Sequence, residues 1–392
     1  MTELLSFLIL ISAGVFFSEL FRRLHLPFVV SLIIAGIIIG PHGLGLFTTD
    51  ATMEFLALMG LVFLMFMAGL ETRLSSIREL EGVALKLSVM NGLFPFLVGF
   101  GIATYFGYNW IAAVMLGVIF ASSSVAVIIP ALESRNLIET KLGKSIVVST
   151  IFEDVFSLVL FSVLLQTISQ TSVIPLPLFY LLLLIGLIAV RRLIPLIRWF
   201  FFSDTIIERH LFEQDMRLIF VVLIGTVVFF EIIGMHPIIA GFFAGLALSE
   251  TIKSNILKEK LHAISYGFFI PVFFIVIGSK TDIGLLFETG DAVLITGVVL
   301  VGAILSKFVG GWAGGKVDGF SQSESCFIGV ATMPRLSTTL AVAFTGLELG
   351  ILDQKLIAAI MTVSIVTTIV GPLLINWLAG KREMGRISQM RL

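Results

Sequence analysis

Cysteine is all but missing from the chain: Cys326 is the only one in 392 residues. A single thiol excludes an internal disulfide and any cysteine metal cluster. Charge is scarce too. Lys, Arg, Asp and Glu make up 13% of the residues, against roughly 25% in a soluble domain. A formal net charge of −1 leaves no basic surface for nucleic acid. No Walker sequence occurs, so nothing in the chain points to nucleotide hydrolysis. The first apolar segment carries an acid, Glu3, where a cleavable signal would be basic.

What fills the chain is apolar: 58% hydrophobic residues and a mean hydropathy of +1.10. Runs of about 20 apolar residues mark membrane-spanning helices. Thirteen such segments are read, at about 4–21, 28–46, 54–70, 84–106, 110–132, 144–166, 178–202, 216–234, 237–250, 264–279, 292–312, 324–346 and 355–379. The break Gly234–Pro237 separates the eighth from the short ninth. Basic residues set orientation. The loops after segments 1, 3, 5, 7, 9 and 11, with the C-terminal tail, carry 21 Lys and Arg; the opposite side has only Lys280 and Lys355. This bias expects the N-terminus outside and the C-terminus in the cytoplasm.

The halves resemble each other at a nearly constant offset. Gly69-Leu70-Glu71-Thr72-Arg73-Leu74 matches Gly278-Ser279-Lys280-Thr281-Asp282-Ile283 at 209 residues, and Pro27 matches Pro237 at 210. Segment 1 then pairs with segment 8, and a shift of seven helices inverts the second half. Inverted repeats build many secondary transporters, with the site at mid-membrane in discontinuous helices. The expected fold is therefore an all-α polytopic membrane protein in a 6+1+6 inverted repeat with two crossed discontinuous helices. Residues 1–170 form the first repeat, 171–213 a linker helix, 214–380 the second repeat and 381–392 a cytoplasmic tail. The breaks are expected at Ala121-Ser122-Ser123-Ser124 in segment 5, which ends in Pro130, and within Thr332-Met333-Pro334-Arg335-Leu336-Ser337-Thr338-Thr339 of segment 12. There proline removes a donor, and hydroxyls can satisfy freed carbonyls or ligate an ion. Close helix packing is the competing reading for these Ser and Thr.

The informative charges lie inside segments. Glu153 and Asp154 sit mid-way along segment 6, where an ionisable group costs several kcal/mol, by contested estimates about 3 to more than 10. At about 1.5 Å per residue, Asp154 lies roughly 15 Å in from Lys144. Lys307 and Arg335 reach similar depth from segments 11 and 12. Buried charge must pair. Neighbours on a helix point about 100° apart, so the two acids cannot share a face. Asp154, with Thr150 one turn earlier, is assigned to an ion cavity, and Glu153 to the base Lys307; the reverse assignment fits the same spacing. A static salt bridge between segments 6 and 11 is the competing reading. Arg335 fits neutralisation of a half-helix C-terminus without touching the ion. A dehydrated Na⁺ wants hard oxygen ligands, and a desolvated carboxylate takes up a proton readily. One carboxylate cannot hold both, which is the logic of antiport. The five histidines lie near loops and read as interfacial.

These features, with Leu26-Pro27 through Gly36-Ile37-Ile38-Ile39-Gly40-Pro41-His42-Gly43-Leu44-Gly45, Phe66-Met67-Ala68-Gly69-Leu70-Glu71, Ala240-Gly241-Phe242-Phe243-Ala244-Gly245-Leu246 and Ile270-Pro271-Val272-Phe273-Phe274, resemble the monovalent cation:proton antiporter superfamily. The branch is that of bacterial sodium/proton antiporters and potassium efflux transporters, and the resemblance covers nearly the whole chain. It implies a core domain with crossed broken helices, a separate dimerisation domain, hence a homodimer, and elevator-like alternating access in a prokaryotic cytoplasmic membrane. It implies Asp154 as the ion-binding aspartate, Ser122 and Ser123 at the broken-helix ligand positions, and Lys307 as the base that pairs with the acid of segment 6. Met333-Pro334-Arg335 resembles the family's Pro-Arg. Three positions depart. Glu153 stands where the family has Asp, Asn or Gln, Ser124 replaces a frequent Pro, and Leu336-Ser337 replaces Gly-Glu. No Gly-rich nucleotide-binding regulatory domain precedes Leu392. The expected activity is Na⁺ (or Li⁺) for H⁺ exchange with no cofactor and no enzymatic step. The alternatives are K⁺/H⁺ exchange on the same scaffold and Na⁺-coupled symport of an organic anion.

Overall fold

A computed structural model describes residues 3–23, 27–71, 83–168, 178, 185, 192, 211–232, 234–249, 252, 255–285 and 290–390. Among these, all regular structure is helical. In chain order the helices are α1 Glu3–Arg23, α2 Phe28–Ile39, α3 Ala51–Glu71, α4 Val83–Tyr105, α5 Trp110–Ala121, α6 Val125–Glu133, α7 Lys141–Ile168 and α8 Leu211–Ile232. They continue as α9 Pro237–Leu248, α10 Asn255–Ile264, α11 Ile270–Lys280, α12 Gly290–Val317, α13 Gln322–Ala331, α14 Ser337–Glu348 and α15 Gln354–Met390. A π turn, Ser265–Phe269, joins α10 to α11. Eight stretches of the described residues are long and apolar enough to cross a bilayer by length and composition. The linker read at 171–213 falls largely outside the described residues.

Several boundaries differ from the sequence reading, each for a local reason. The second segment stops at Ile39, not 46. Gly40 is extended, as the residue before a proline prefers, and Pro41 opens a turn. The tenth segment begins a full α10 earlier, at Asn255, because the π turn carries the helix through. The last runs beyond 379 to Met390. The disputed break between the eighth and ninth segments is present. Gly234 there has φ 92°, a conformation that suits glycine.

The repeat is visible as reciprocal packing. A Cβ on Gly36 of α2 would overlap the carbonyl oxygen of Ile275 on α11, and one on Gly245 of α9 would overlap that of Phe66 on α3. Adding 209 to the pair Gly36 and Phe66 gives Gly245 and Ile275, so the two contacts are one contact seen twice. Gly278 on Ile33 and Gly69 on Phe242 repeat the pattern. Counterparts also touch each other: Gly60 packs on the backbone of Phe269, and Ser123 bonds to Thr332, 209 residues on. Residues that meet their own counterparts lie on a two-fold axis. Small residues let helices approach this closely where lipid supplies no hydrophobic drive.

Candidate ion-binding site

Both expected helix breaks occur. α5 ends at Ala121, and Ser122 to Ser124 run extended before α6. α13 ends at Ala331, and the chain resumes helix only at Ser337; Pro334, between them, has no N–H to continue a ladder. The two non-helical stretches cross and exchange bonds. The Ser124 N–H donates to the Pro334 carbonyl at 2.8 Å, and the Ser123 hydroxyl lies 3.0 Å from the Thr332 carbonyl. The Ser122 and Thr339 hydroxyls share a bond of 2.8 Å.

A helix end leaves its last carbonyls without partners. At the C-terminus of α5 they are taken up by two cations and two hydroxyls. Arg335 Nη1 donates to the Ile119 carbonyl at 2.8 Å and Lys307 Nζ to that of Ala121 at 2.7 Å. Ser157 Oγ donates to Val118 at 3.0 Å and Ser122 Oγ to Ile119 at 3.1 Å. Positive charge is favourable at this end of the helix dipole. Arg335 also donates to the Ala303 carbonyl at 3.3 Å and lies over the Phe120 ring, 5.0 Å from its centroid. It is fully buried, among carbonyls and a ring.

Glu153 is surrounded by donors. Its Oε1 accepts from Asn91 Nδ2 at 2.8 Å and Ser149 Oγ at 2.6 Å. Its Oε2 accepts from Ser123 Oγ and Lys307 Nζ, both at 2.7 Å. Both side chains of the Glu153–Lys307 pair are wholly shielded from solvent. Lys307 spends its other two protons on the carbonyls of Ala121 and Asn91. A pair closed on every side in this way meets the condition for tolerating buried charge.

Asp154, the next residue, is placed quite differently. Its Oδ1 is enclosed and has no hydrogen-bond partner. The Thr338 hydroxyl and the Ser123 main chain are the hydrogen-bonding groups directed at the carboxylate. The residue lines a narrow cavity with Leu64, Ala68, Glu71, Ser124, Val125, Ala126, Tyr266 and Ser337. At about 20 Å³ the cavity has room for about one water-sized guest. Ser124 and Ser337 stand at the N-terminal ends of α6 and α14, so both half-helix N-termini face the carboxylate. Leu64, Ala68 and Glu71 follow one face of α3 from the cavity to the exposed helix end.

Of the residues singled out from sequence, Glu153, Lys307 and Ser123 are joined in one network, and Ser122 sits beside it at the crossing. Thr150 is buried on the same helix, and its hydroxyl donates to the Ile146 carbonyl at 2.9 Å. Sequence reasoning missed Asn91, Ser149, Glu71 and Tyr266, and had Thr338 only as one of the Thr332–Thr339 cluster. Ser149 stands four residues before Glu153, just as Thr150 stands before Asp154, so the same spacing rule finds it. Asn91 is the sole amide side chain in a segment that otherwise reads as apolar.

Comparison with known proteins bears on the family and the fold. Residues 7–381 match the family described as sodium/hydrogen exchanger, transmembrane. A probable Na⁺/H⁺ antiporter 3 of Methanocaldococcus jannaschii is 32% identical over 376 residues, covering 94% of this chain and 95% of that protein. A Na⁺/H⁺ antiporter of Enterococcus hirae is 27% identical over 93% of this chain and 94% of its own length. The Na⁺/H⁺-K⁺ antiporter GerN of Bacillus cereus is 28% identical over 93% of each. The solved structure of the sodium proton antiporter MjNhaP1 from Methanocaldococcus jannaschii superposes with a TM-score of 0.70. It does so at 18% identity, over 95% of this chain and 96% of that one; at that identity the likeness shows the fold.

Proposed function

The chain belongs to the transmembrane sodium/hydrogen exchanger family, and on that premise we propose that it exchanges Na⁺ for H⁺ at Asp154. The observation that carries this is the contrast between two adjacent acids. Glu153 has four donors, one of them a buried lysine. Asp154 has an enclosed oxygen with no partner at the end of a cavity of about 20 Å³. A buried polar atom without a partner calls for an explanation, and an exchange site supplies one.

The cavity size favours a bare ion over an organic substrate, since small-molecule pockets run to about 300 Å³ and more. This weighs against the organic-anion symporter. Na⁺ prefers hard oxygens, and the carboxylate of Asp154, the hydroxyl of Thr338 and the main chain at the crossing offer them. Ser122, Ser123 and Thr150 complete the proposed polar surround. A proton takes the same carboxylate when the cation leaves. Only a site neutralised by one or the other crosses cheaply, so the two ions move in opposite directions by alternating access. Glu153 and Lys307 act as the fixed charge pair, and Arg335 as the compensating charge of the broken helix. With the orientation expected from the basic loops, the Glu71 end of the cavity faces the cytoplasm. The K⁺/H⁺ alternative rests on one relative, GerN, whose name includes K⁺.

The test is proton flux in reconstituted vesicles carrying an internal pH dye. Pulses of Na⁺ and Li⁺ should move protons, and Asp154→Asn should abolish the response. An Asp154→Asn protein exchanging at the wild-type rate would sink the proposal, and a larger response to K⁺ than to Na⁺ would move it to the potassium reading.

A further inference from the structure

Lys307 holds three acceptors, and two are main-chain carbonyls that an unbroken helix would not release. The Ala121 carbonyl is free because α5 stops there. The Asn91 carbonyl is free for a less obvious reason. Within a helix it would accept from the N–H of the residue four positions on, and that residue is Pro95, inside α4, which has no N–H. Lys307 Nζ occupies the vacated position at 3.0 Å. The side chain of the same Asn91 reaches the other partner, donating from Nδ2 to Glu153 Oε1 at 2.8 Å. One buried residue of α4 therefore binds both members of the charge pair, one through its main chain and one through its side chain. Its Oδ1 is left buried without a partner, so the amide is not there merely to satisfy itself. α4 comes close enough to do this because Gly310 and Gly314 of α12 pack on its backbone at Asn91 and Leu87. Gly92 meanwhile faces the Glu153 stem and Phe156 on α7.

We propose that Asn91 and Pro95 form a positioning element that keeps Lys307 on Glu153 and off Asp154. This rests on the reading of Asp154 as the carrier. On α7, Asp154 directly follows Glu153, whose carboxylate Lys307 holds at 2.7 Å. An ammonium released from its carbonyl anchors can approach that carboxylate and compete with the arriving cation. The consequence is specific: loosening the anchor weakens apparent cation affinity and leaves the rate of the loaded carrier alone.

The experiment compares Asn91→Leu, Pro95→Ala and the double variant in vesicles, reading the Na⁺ KM and the maximal rate separately. A second reading is the Na⁺-dependent rise in unfolding temperature of the detergent-solubilised protein. Pro95→Ala restores a backbone donor that competes with Lys307 for the Asn91 carbonyl. Asn91→Leu keeps the carbonyl but removes the bond that fixes Glu153 against Lys307, so it should raise KM about tenfold, the worth of one hydrogen bond to a charged group, with the maximal rate retained. Pro95→Ala should move KM the same way by less, and the double variant should be no worse than Asn91→Leu, because both act on one pair. The stabilisation by Na⁺ should weaken in parallel. Unchanged KM in both single variants, or a maximal rate that falls with the folded fraction at constant KM, would overturn the proposal. So would effects of the two substitutions that simply add. Failure of the exchange reading is distinguishable, because the wild type itself would then show no cation-driven flux.

Discussion

Glu153 and Asp154 are neighbours in sequence and opposites in surroundings. The 100° between successive helical positions turns Glu153 toward α4 and α12 and Asp154 toward the crossing and its cavity. The pair was legible in sequence because charge within an apolar run stands out. Lys307 and Arg335 were legible for the same reason. Asn91 and Ser149 were not. An uncharged polar residue in such a helix more often serves packing, and nothing in composition marks the one that receives or gives a bond across helices. At this scale the account makes a stability prediction. Lys307→Met strands Glu153 as an uncompensated buried charge and should cost about 3–5 kcal/mol. Glu153→Gln combined with Lys307→Met should cost clearly less, because no charge is left buried. Thermal unfolding of the purified variants checks the order; a double variant less stable than Lys307→Met would contradict it.

Helices 5 and 6, and 13 and 14, each divide one crossing into two halves, and the sequence announced both breaks through a serine run and a Met-Pro-Arg. What sequence could not give was their register. The Ser124 bond to Pro334 and the Ser123 contact with Thr332 depend on how the halves meet. The 209-residue offset predicted which elements correspond but not that counterparts would touch. The same symmetry makes a prediction about glycine. Gly36→Ala and Gly245→Ala place a Cβ onto equivalent backbone oxygens, so each should lower the unfolding temperature, and by similar amounts. Gly101→Ala and Gly225→Ala meet open space and should be tolerated. They should even gain slightly, since Ala is the better helix former by about 1 kcal/mol. Unequal losses at Gly36 and Gly245, with one of them harmless, would argue against a true internal two-fold.

Two openings of unequal size stand out among the described residues. One is the narrow path from Asp154 to Glu71. The other is a vestibule of about 350 Å³ at the opposite ends of the helices, lined by residues that include His42, Lys280, Phe344 and Glu348. Near it are the ion pair Lys280–Glu54 at 3.0 Å and the contact of His42 with Asp282 at 3.2 Å. Between the two lies α14 from Ser337 to Glu348, roughly 16 Å of helix at 1.5 Å per residue, buried from Ser337 through Gly346. Among the described residues, the cavity at Asp154 runs toward the Glu71 end. Orientation came from the basic loops, whereas the open side came only from packing. In a Cys326→Ser background, Ala126→Cys should react with a membrane-impermeant thiol reagent from the cytoplasmic side, and Leu347→Cys from the outside. Reaction of Ala126→Cys from the outside alone would reverse the proposed orientation or the state.

The central claim is that one carboxylate, Asp154, holds either a cation or a proton. The most direct measurement is the apparent Na⁺ KM of wild-type vesicles across a series of pH values. Over the range in which protons occupy the site, KM should rise about tenfold for each unit of falling pH, with the maximal rate at saturating Na⁺ unchanged. A KM independent of pH, with the maximal rate falling instead, would mean that the two ions bind at different places, and would contradict the account.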